Sequence, residues 1–515
     1  MLRLSKGLRC EKVYLFALRE RRRSCIAQFS DRKINFGTSE RHVLVGTNLS
    51  KICHPKVSKT RGEPSMSTNL KEALCEKIPV HHDLLRNFRL YFGPSVVSQI
   101  TVENLYTGLN DVKTIVKETS ELDPKHGIVY RGLTIPEVIA LLPREGNSPS
   151  AEAVFWLLLT GDVPTQQQTA SLIADWTLRR KKCTEWWSGP RGETIASVLR
   201  SMPETITPLH RLSIALTIFN ISKQTREAKK HGAMPYTYWE YIYEDGMEFL
   251  ATLPAILGLI AKGQTLTNVS GDGDWVQFLL DCLRNESLDS RKSSIADFLR
   301  LYITLNADDD GGAPIAHVTQ ILGSTDLHIN EVLASTVLAH IEEPKSGTML
   351  EWKKLQTKIK NTLGRTWTEH ALQTCVLNLL SRDKLIGYKQ ADFCDPRYTA
   401  LLHYAKQHLP NNSEVKLSED ITQILRTALR RPKRKDIYPE QNALAPVIFQ
   451  YYGLEDMRFN QMILYMARTL GAIASIIWTK IVNAPIEHPI SSCTYNYVES
   501  VCDNGTKNRK RRTRK

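Results

Sequence analysis

Apolar residues recur at helical spacing through most of this chain, and that periodicity constrains the fold more than any other feature of the sequence. Leu70, Leu74 and Ile78 lie four residues apart, which places them on one face of a helix. Two more helical runs, 150–160 and 165–179, are separated by the tetrapeptide GDVP, which ends one helix and starts the next. We predict that these two runs form a pair of packed helices.

The same periodicity extends over the rest of the body. Further helices are predicted over 212–229, 238–261, 275–283, 294–305, 330–340, 368–380, 417–429 and 457–482. Strand-like windows are few and short, and lie near 100–102 and 127–130. The sequence therefore predicts a large, mainly α-helical protein.

The net charge of +14 over 515 residues is concentrated at the two ends of the chain. Residues 1–64 carry 15 Lys and Arg against 5 acidic residues, and residues 501–515 carry 7 against 1. The body between them is close to neutral, so we expect no nucleic-acid-binding surface on it. We interpret 501–515 as a basic disordered tail; nucleic-acid binding or a nuclear address is the alternative, and we do not expect it.

The N-terminal region has the composition of a targeting peptide. Its first 30 residues contain Arg3, Arg9, Arg19 and the run Arg21-Arg22-Arg23 among leucines and serines, with Glu11 and Glu20 as the acids. A basic amphipathic segment with few acids is typical of a mitochondrial transit peptide. We predict a transit peptide and disordered leader over 1–66 and a location in the mitochondrial matrix; a disordered basic arm is the alternative.

Cysteine usage and hydropathy limit the remaining classes. The ten cysteines form no C-x-x-C pair and no cluster with histidines, so neither a disulfide framework nor a zinc site is predicted, which suits a reducing compartment. The longest apolar stretch, 462–482, contains Arg468 and Lys480, so no transmembrane helix and no membrane partner are predicted.

Seven sequence blocks, in this order along the chain, point to a family. They are STNLKEAL (67–74), GIVYRGLTIPE (127–137), FWLLLTGDVPT (155–165), YWEYIYED (238–245), DPRY (395–398), QYYGLEDM (450–457) and ARTLGAIASIIW (467–478). Together they closely resemble the citrate synthase family, and its mitochondrial members in particular, over about 67–488. The resemblance implies an all-α citrate synthase fold, with a large helical domain and a smaller helical domain that closes over a cleft.

The resemblance also implies the division of the chain and its assembly. We place the large domain at 67–345 and 446–500 and the small domain at 346–445; breaks in the helical pattern at 308–314, 342–347 and 430–439 are linker-like. A homodimer is implied, and a heterodimer with an active paralogue is a second form. The family condenses acetyl-CoA with oxaloacetate and water to give citrate and CoA, so acetyl-CoA is a co-substrate, and neither a resident cofactor nor a metal is expected.

The three positions that resemblance assigns to catalysis hold other residues here. Counting back from QYYG without a gap places the family's aspartate base at Asn442, whose neutral amide does not accept a proton near pH 7. The histidine that holds the enol corresponds to Ser346. The histidine beside the ketone corresponds to Gln390 in the segment GYKQADFCDPRY, where the spacing to DPRY is two residues shorter than in the family.

The substrate-binding positions are mixed. Arg397 and Arg468 match the family's carboxylate-binding arginines, whose planar forks suit a dicarboxylate; an interior ion pair is the structural alternative. A third arginine, contributed by the partner subunit, corresponds to His488. A histidine that contacts oxaloacetate corresponds to Asp309, whose carboxylate would repel a dianion.

Some of the positions that bind CoA in the family also hold other residues here. Arginines that meet the CoA phosphates in the family correspond to Asn110 and Pro235, and the run Lys433-Arg434-Lys435 keeps a basic patch that serves either CoA or as a solvated loop.

The sequence therefore predicts a citrate synthase family protein that is catalytically impaired or inactive, with an oxaloacetate-like dicarboxylate as candidate ligand. Two alternatives stay open. One is an active citrate synthase, or a related acyl-CoA condensing enzyme, with relocated catalytic groups. The other is a non-catalytic dimerisation partner of an active paralogue.

Overall fold

A computed structural model describes residues 63–110, 112–219, 223–284, 292–341, 348–364, 366–382, 387–428 and 436–502. The leader up to residue 62, Ser346, the run 433–435 and the tail from residue 503 lie outside the described residues. Helix makes up 65% of the structure and strand 5%, which confirms the all-α class.

The helices follow one another along the whole body. They are α1 (Leu70–Phe92), α2 (Val102–Tyr106), α3 (Ile135–Leu141), α4 (Ala151–Thr160), α5 (Gln166–Lys182), α6 (Pro190–Ser201), α7 (Pro208–Ile218), α8 (Lys223–Lys230), α9 (Tyr238–Lys262), α10 (Trp275–Leu283), α11 (Lys292–Leu305), α12 (Pro314–Ser324), α13 (Ile329–Ile341), α14 (Thr348–Leu363), α15 (Glu369–Arg382), α16 (Pro396–His408), α17 (Ser413–Ala428), α18 (Ala445–Tyr451) and α19 (Met457–Ile481).

Within the described residues, the strands form three small antiparallel sheets. β1 (Ser120–Asp123), β2 (Gly127–Tyr130) and β3 (Leu133–Thr134) make the first, β4 (Arg144–Glu145) and β5 (Ser148–Pro149) the second, and β6 (Tyr388–Ala391) and β7 (Asp436–Pro439) the third. In the third sheet Tyr388 pairs with Pro439 and Gln390 with Ile437. β7 therefore lies within a break that the sequence pattern marks as a linker.

The core is built around the two longest helices, α9 and α19, which pack against each other. Their close crossing depends on Gly246, where a Cβ atom would come within 2.9 Å of Ile473 Cγ2. Most of the side chains of both helices are buried, and burying one large apolar side chain contributes about 1.5–3 kcal/mol. This rigid centre fixes the position of every residue that α19 carries.

Two local predictions differ from the structure. The helix expected over 212–229 is divided, because α7 ends at Ile218 and α8 begins at Lys223. The strand-like window near 100–102 is instead a helix start, since Thr101 and Asn104 form a reciprocal capping box at the N-terminus of α2. In the second case local capping outweighs the β propensity of Ile100 and Val102.

Among the described residues, α19 is the one helix that is long and apolar enough to span a membrane. Its apolar window is entirely buried inside the protein. That burial is what the core helix of a globular protein shows.

Candidate functional site

Three elements bring the predicted binding residues together. Arg397 lies in the first turn of α16, Arg468 lies in the middle of α19, and Asp309 lies in the segment 306–313 that joins α11 to α12. The break at 308–314 therefore lies beside the two arginines, and Asp308 and Asp309 in it are largely buried.

The start of α16 orients Arg397. Asp395 is the N-cap residue, and its Oδ1 accepts the Arg397 backbone N–H at 3.0 Å. Pro396 follows at the first helical position, where its fixed φ suits the helix. The same carboxylate takes a bidentate pair from the Arg397 side chain, with Nε to Oδ1 at 3.0 Å and Nη2 to Oδ2 at 2.9 Å. One interior carboxylate thus holds both the backbone and the fork of this arginine.

The ionisation of this pair follows from its contacts. Burial alone would raise the pKa of Asp395, but the Arg397 cation and its hydrogen bonds outweigh burial and hold that pKa well below its ordinary value. Burial likewise opposes the charge of Arg397, and Asp395 outweighs it and raises the pKa of the guanidinium. Both groups are therefore ionised at neutral pH.

Arg468 makes the second half of the site. Its Nη2 lies 3.0 Å from Asp309 Oδ2, and its Nη1 donates to the backbone carbonyl of Asp308. Arg397 Nη1 lies 4.0 Å from the other Asp309 oxygen, Oδ1. The Asp309 carboxylate therefore lies between the two arginines, with one oxygen toward each.

These cations determine the ionisation of Asp309. Burial alone would raise its pKa, but Arg468, Arg397 and Lys117 outweigh burial and lower that pKa below the ordinary value. Asp309 is therefore a carboxylate anion throughout the physiological range.

Two further side chains, from Lys117 and Thr119, bind the segment that carries Asp308 and Asp309. Lys117 Nζ lies 2.6 Å from Asp308 Oδ1 and also donates to the backbone carbonyl of Asp309. Thr119 Oγ1 donates to Asp308 Oδ2 at 2.5 Å. Sequence reasoning missed Lys117 and Thr119, since neither lies in a family block and both come from 189 or more positions away in the chain.

Asn442, which the sequence resemblance assigns to the position of the family's base, is buried and turned toward another amide. Its Nδ2 donates to Asn306 Oδ1 at 3.0 Å, and Asn306 Nδ2 in turn donates to the Tyr302 carbonyl at 2.9 Å. The adjacent Gln441 accepts a hydrogen bond from Arg397 Nη2 at 3.1 Å. The segment 441–442 therefore borders the arginine pair but contributes only amides.

The other predicted site residues either lie away from the arginine pair or fall outside the described residues. Gln390 is exposed on β6, and His488 is exposed in the segment after α19, next to Glu487, which lies 3.0 Å from His317 Nε2. Ser346 and the run Lys433-Arg434-Lys435 fall outside the described residues. The structure thus brings Arg397, Arg468 and Asp309 together with the neighbour of Asn442.

A small cavity lies beside Arg468 and Asp309. It measures about 10 Å³ and is lined by Lys117, Asp308, Asp309, Ile315, Ala316, Thr319, Arg468, Ala472 and Ser475. Such a volume holds about one water molecule. Neither histidine nor an unpaired carboxylate is among these lining residues, so the cavity offers no group suited to proton transfer near neutral pH.

In the part of the chain that the structure describes, no three His, Cys, Asp or Glu side chains are grouped to hold a metal ion.

Comparison with known proteins is consistent with this geometry. The family model described as citrate synthase, C-terminal domain, matches residues 108–490. "Citrate synthase, mitochondrial" of Xiphias gladius is 30% identical over 448 residues, which cover 84% of this chain and 92% of that protein. "Probable citrate synthase, mitochondrial" of Caenorhabditis elegans is 31% identical over 463 residues, which cover 88% of this chain and 95% of that protein.

Solved structures show the same fold at lower identity. The crystal structure of citrate synthase from Pyrobaculum aerophilum matches with a TM-score of 0.60 at 18% identity, covering 78% of this chain and 95% of that one. Citrate synthase from Thermotoga maritima matches with a TM-score of 0.57 at 18% identity, covering 75% of this chain and 95% of that one.

Proposed function

Because this chain belongs to the citrate synthase family, we propose that it is a catalytically impaired or inactive member that keeps the fold without the condensation chemistry. The observation that carries the proposal is Asn442. At the position of the proton-abstracting aspartate, a buried amide is hydrogen-bonded to Asn306 at 3.0 Å. An amide does not accept the methyl proton of acetyl-CoA, and a positioned base contributes about 100- to 10,000-fold.

The remaining catalytic positions support the same conclusion. Gln390 is exposed on the solvent side of β6, and a glutamine donates a hydrogen bond but does not shuttle a proton. Ser346 replaces the enol-holding histidine in the sequence. Rescue would need several relocated groups at once, each held within about 0.5 Å by a supporting shell.

The test is thiol release from acetyl-CoA by the purified full chain in the presence of oxaloacetate. We expect no turnover above the uncatalysed rate, with the citrate synthase of Xiphias gladius as the positive control. Turnover of about one per second would overturn the proposal and favour the alternative, an active enzyme with relocated catalytic groups. Testing propionyl-CoA beside acetyl-CoA covers a condensing enzyme of altered acyl specificity.

We further propose the mitochondrial matrix as its location. Both relatives compared above carry "mitochondrial" in their names, and the basic first 30 residues have the composition of a transit peptide. No membrane partner is proposed, and nucleic-acid binding by the basic tail is not expected in that compartment. A fusion of residues 1–66 to a fluorescent protein, followed by protease protection in isolated mitochondria, tests the targeting.

A homodimer is the proposed assembly. Val96 and Val97, which follow α1, are 77% and 76% exposed, and Ile490 and Tyr495 near the C-terminus are 93% and 82% exposed. The Tyr106 hydroxyl and Thr494 Oγ1 are 3.1 Å apart, so α2 contacts the C-terminal segment that carries Ile490 and Tyr495. Apolar patches of this kind mark interaction surfaces, and a second copy would cover them.

Light scattering of the full chain tests the dimer, with Val96→Glu plus Val97→Glu expected to give monomers. Co-purification with an active citrate synthase instead of a second copy would favour the heterodimer.

The domain division at 346–445 and a CoA contact by Lys433, Arg434 and Lys435 are proposals that rest on the family resemblance. Coenzyme A titrated against a variant with alanine at those three positions tests the second.

A further inference from the structure

The charges around the arginine pair are already balanced within the protein. Lys117, Arg397 and Arg468 supply three cations whose side chains are each 5–6% exposed. Asp308, Asp309 and Asp395 supply three carboxylates in direct contact with them, and Lys389 at the edge of the cluster adds a longer contact of 3.3 Å to Asp395. A dianionic ligand entering this cluster would meet little uncompensated positive charge.

The Asp309 side chain has the contacts that a bound carboxylate would have. Its Oδ2 lies 3.0 Å from Arg468 Nη2, a charge-assisted hydrogen-bond distance, and its Oδ1 faces Arg397 Nη1 at 4.0 Å. That Arg397 nitrogen is buried and has no closer hydrogen-bond acceptor. The arginine pair therefore directs its remaining donors at a carboxylate of its own chain.

The backbone holds this carboxylate in place. The Asp309 backbone N–H donates to Asp308 Oδ1 at 2.9 Å, while Lys117 binds both that Asp308 oxygen and the Asp309 carbonyl. Arg468 Nη1 also donates to the Asp308 carbonyl, so one arginine binds the backbone and the side chain of the same segment. Because these contacts already fix the backbone at 308–309, holding the Asp309 side chain between the arginines costs little further conformational entropy.

We propose that Asp309 is an internal carboxylate ligand of the Arg397–Arg468 pair, which excludes dicarboxylates from the wild-type protein and whose removal opens a carboxylate-binding site. The proposal rests on the assignment of Arg397 and Arg468, under the proposed function, as the family's carboxylate-binding arginines. Its ligand class is a small dicarboxylate such as malate, because Arg397 Nη1 and Arg468 Nη2 both face the place of the Asp309 carboxylate and correspond to the family's dicarboxylate-binding arginines. The cavity of about 10 Å³ beside Asp309 holds about one water molecule, so it has no room for such a molecule while the side chain is present.

Isothermal titration calorimetry of the full chain with L-malate tests the proposal. We expect no saturable binding by the wild type up to about 10 mM malate, and at least about tenfold tighter binding by Asp309→Ala. Asp309→Asn removes the charge but keeps the volume, so it is expected to bind more weakly than Asp309→Ala. Asp310→Asn is the matched control, since it removes one charge from the same segment while its Oδ1 still accepts the Gly312 N–H, and it is expected to behave as the wild type.

Two further variants keep the result interpretable. Arg468→Met added to Asp309→Ala is expected to abolish the gained binding, which ties that binding to the arginine pair. If Asp309→Ala does not fold by near-ultraviolet circular dichroism, Asp309→Ser, which also removes the carboxylate and most of its volume, decides. Saturable wild-type binding below about 10 mM would overturn the proposal, as would a folded Asp309→Ala or Asp309→Ser protein that binds no malate. Because malate is not condensed, these outcomes are separate from thiol release, which tests the proposed function.

Discussion

The side-chain amide of Asn442 donates a hydrogen bond to Oδ1 of Asn306 across 3.0 Å, and both residues are buried. Asn306 uses its own Nδ2 on the Tyr302 carbonyl at 2.9 Å, so the acceptor facing Asn442 is fixed. The position that the family resemblance assigns to the base is therefore part of an interior amide network, and that network determines what a substitution by aspartate would do.

We predict that Asn442→Asp restores no condensation and destabilises the protein. The new carboxylate would face the Asn306 carbonyl oxygen without a donor, and an unsatisfied buried polar group costs about 1–3 kcal/mol, with a charge costing more. Asn442→Ala loses the same hydrogen bond without adding a charge, so at pH 7 it is expected to be the more stable variant. Burial should raise the pKa of the new carboxyl, so the gap between the two variants should shrink as the pH falls toward about 4.

Urea unfolding followed by circular dichroism measures both variants, and thiol release measures activity. Equal stability of Asn442→Asp and Asn442→Ala at pH 7 would show that the site accommodates a carboxylate. Recovered thiol release in Asn442→Asp would show that the other catalytic positions need no histidine.

Arg397 and Asp395 are expected to depend on each other. Arg397→Met leaves the buried Asp395 carboxylate without its bidentate partner, which should cost about 3–5 kcal/mol of unfolding free energy at pH 7. Since the pKa of Asp395 is lowered in the folded state, the stability from this pair is complete above the ordinary carboxyl range and is lost as the pH falls through the lowered value. The loss in Arg397→Met should therefore diminish in acid.

The control for this pair is the double variant Asp395→Asn with Arg397→Met. It removes both charges and should be more stable than Arg397→Met alone, as measured by urea midpoints. A double variant whose loss equals or exceeds the single loss would contradict a buried pair coupled in this way.

Sequence periodicity predicted the long apolar helices well, because their burial repeats at short range. The expected helix at 275–283 coincides with Trp275–Leu283, and the one at 457–482 ends one residue beyond Met457–Ile481. Family blocks likewise predict Arg397 and Arg468 as binding residues, and the structure places both side chains against the Asp309 carboxylate. The segment 308–314 was interpreted as a linker, since three aspartates followed by two glycines are typical of a solvated loop. Its burial depends on Lys117 and Arg468, which lie far away in the chain, and such long-range charge pairing leaves no local pattern.

A second buried carboxylate should make stability depend on pH in the opposite direction. Asp245 in α9 accepts the backbone N–H groups of Gln224 and Thr225, each at 3.0 Å, and burial raises its pKa to about 7. A pKa raised in the folded state means that the stability contribution is complete below the ordinary carboxyl range and is lost as the pH rises through about 7. We predict that the wild type loses more than about 1 kcal/mol at this site between pH 4 and pH 7.

Urea midpoints measured across that pH range test the prediction, with Asp245→Asn as the variant that does not titrate. The difference between wild type and Asp245→Asn should change with pH in the stated direction. Glu121→Gln, which alters an exposed carboxylate on β1, is the control and should run parallel to the wild type. Parallel curves for Asp245→Asn as well would remove Asp245 from the pH dependence.

The backbone of α19 passes close to the segment 307–308 at Gly471, and we predict that this contact requires glycine. Gly471 in α19 donates its N–H to the Ala307 carbonyl at 2.9 Å, and a Cβ at this position would overlap the Asp308 carboxylate. Gly471→Ala should therefore displace Asp308 from Lys117 and lower the unfolding free energy by about 1–3 kcal/mol, even though alanine favours helix.

Gly323→Ala in α12 is the matched control, because its Cβ would meet Ile476 Cγ1 at 3.2 Å, and we expect a change within about 1 kcal/mol. Thermal unfolding compares the two variants, and a Gly471→Ala protein as stable as the wild type would mean that the segment carrying Asp308 and Asp309 moves freely, which would also weaken the case for Asp309 as a fixed internal ligand.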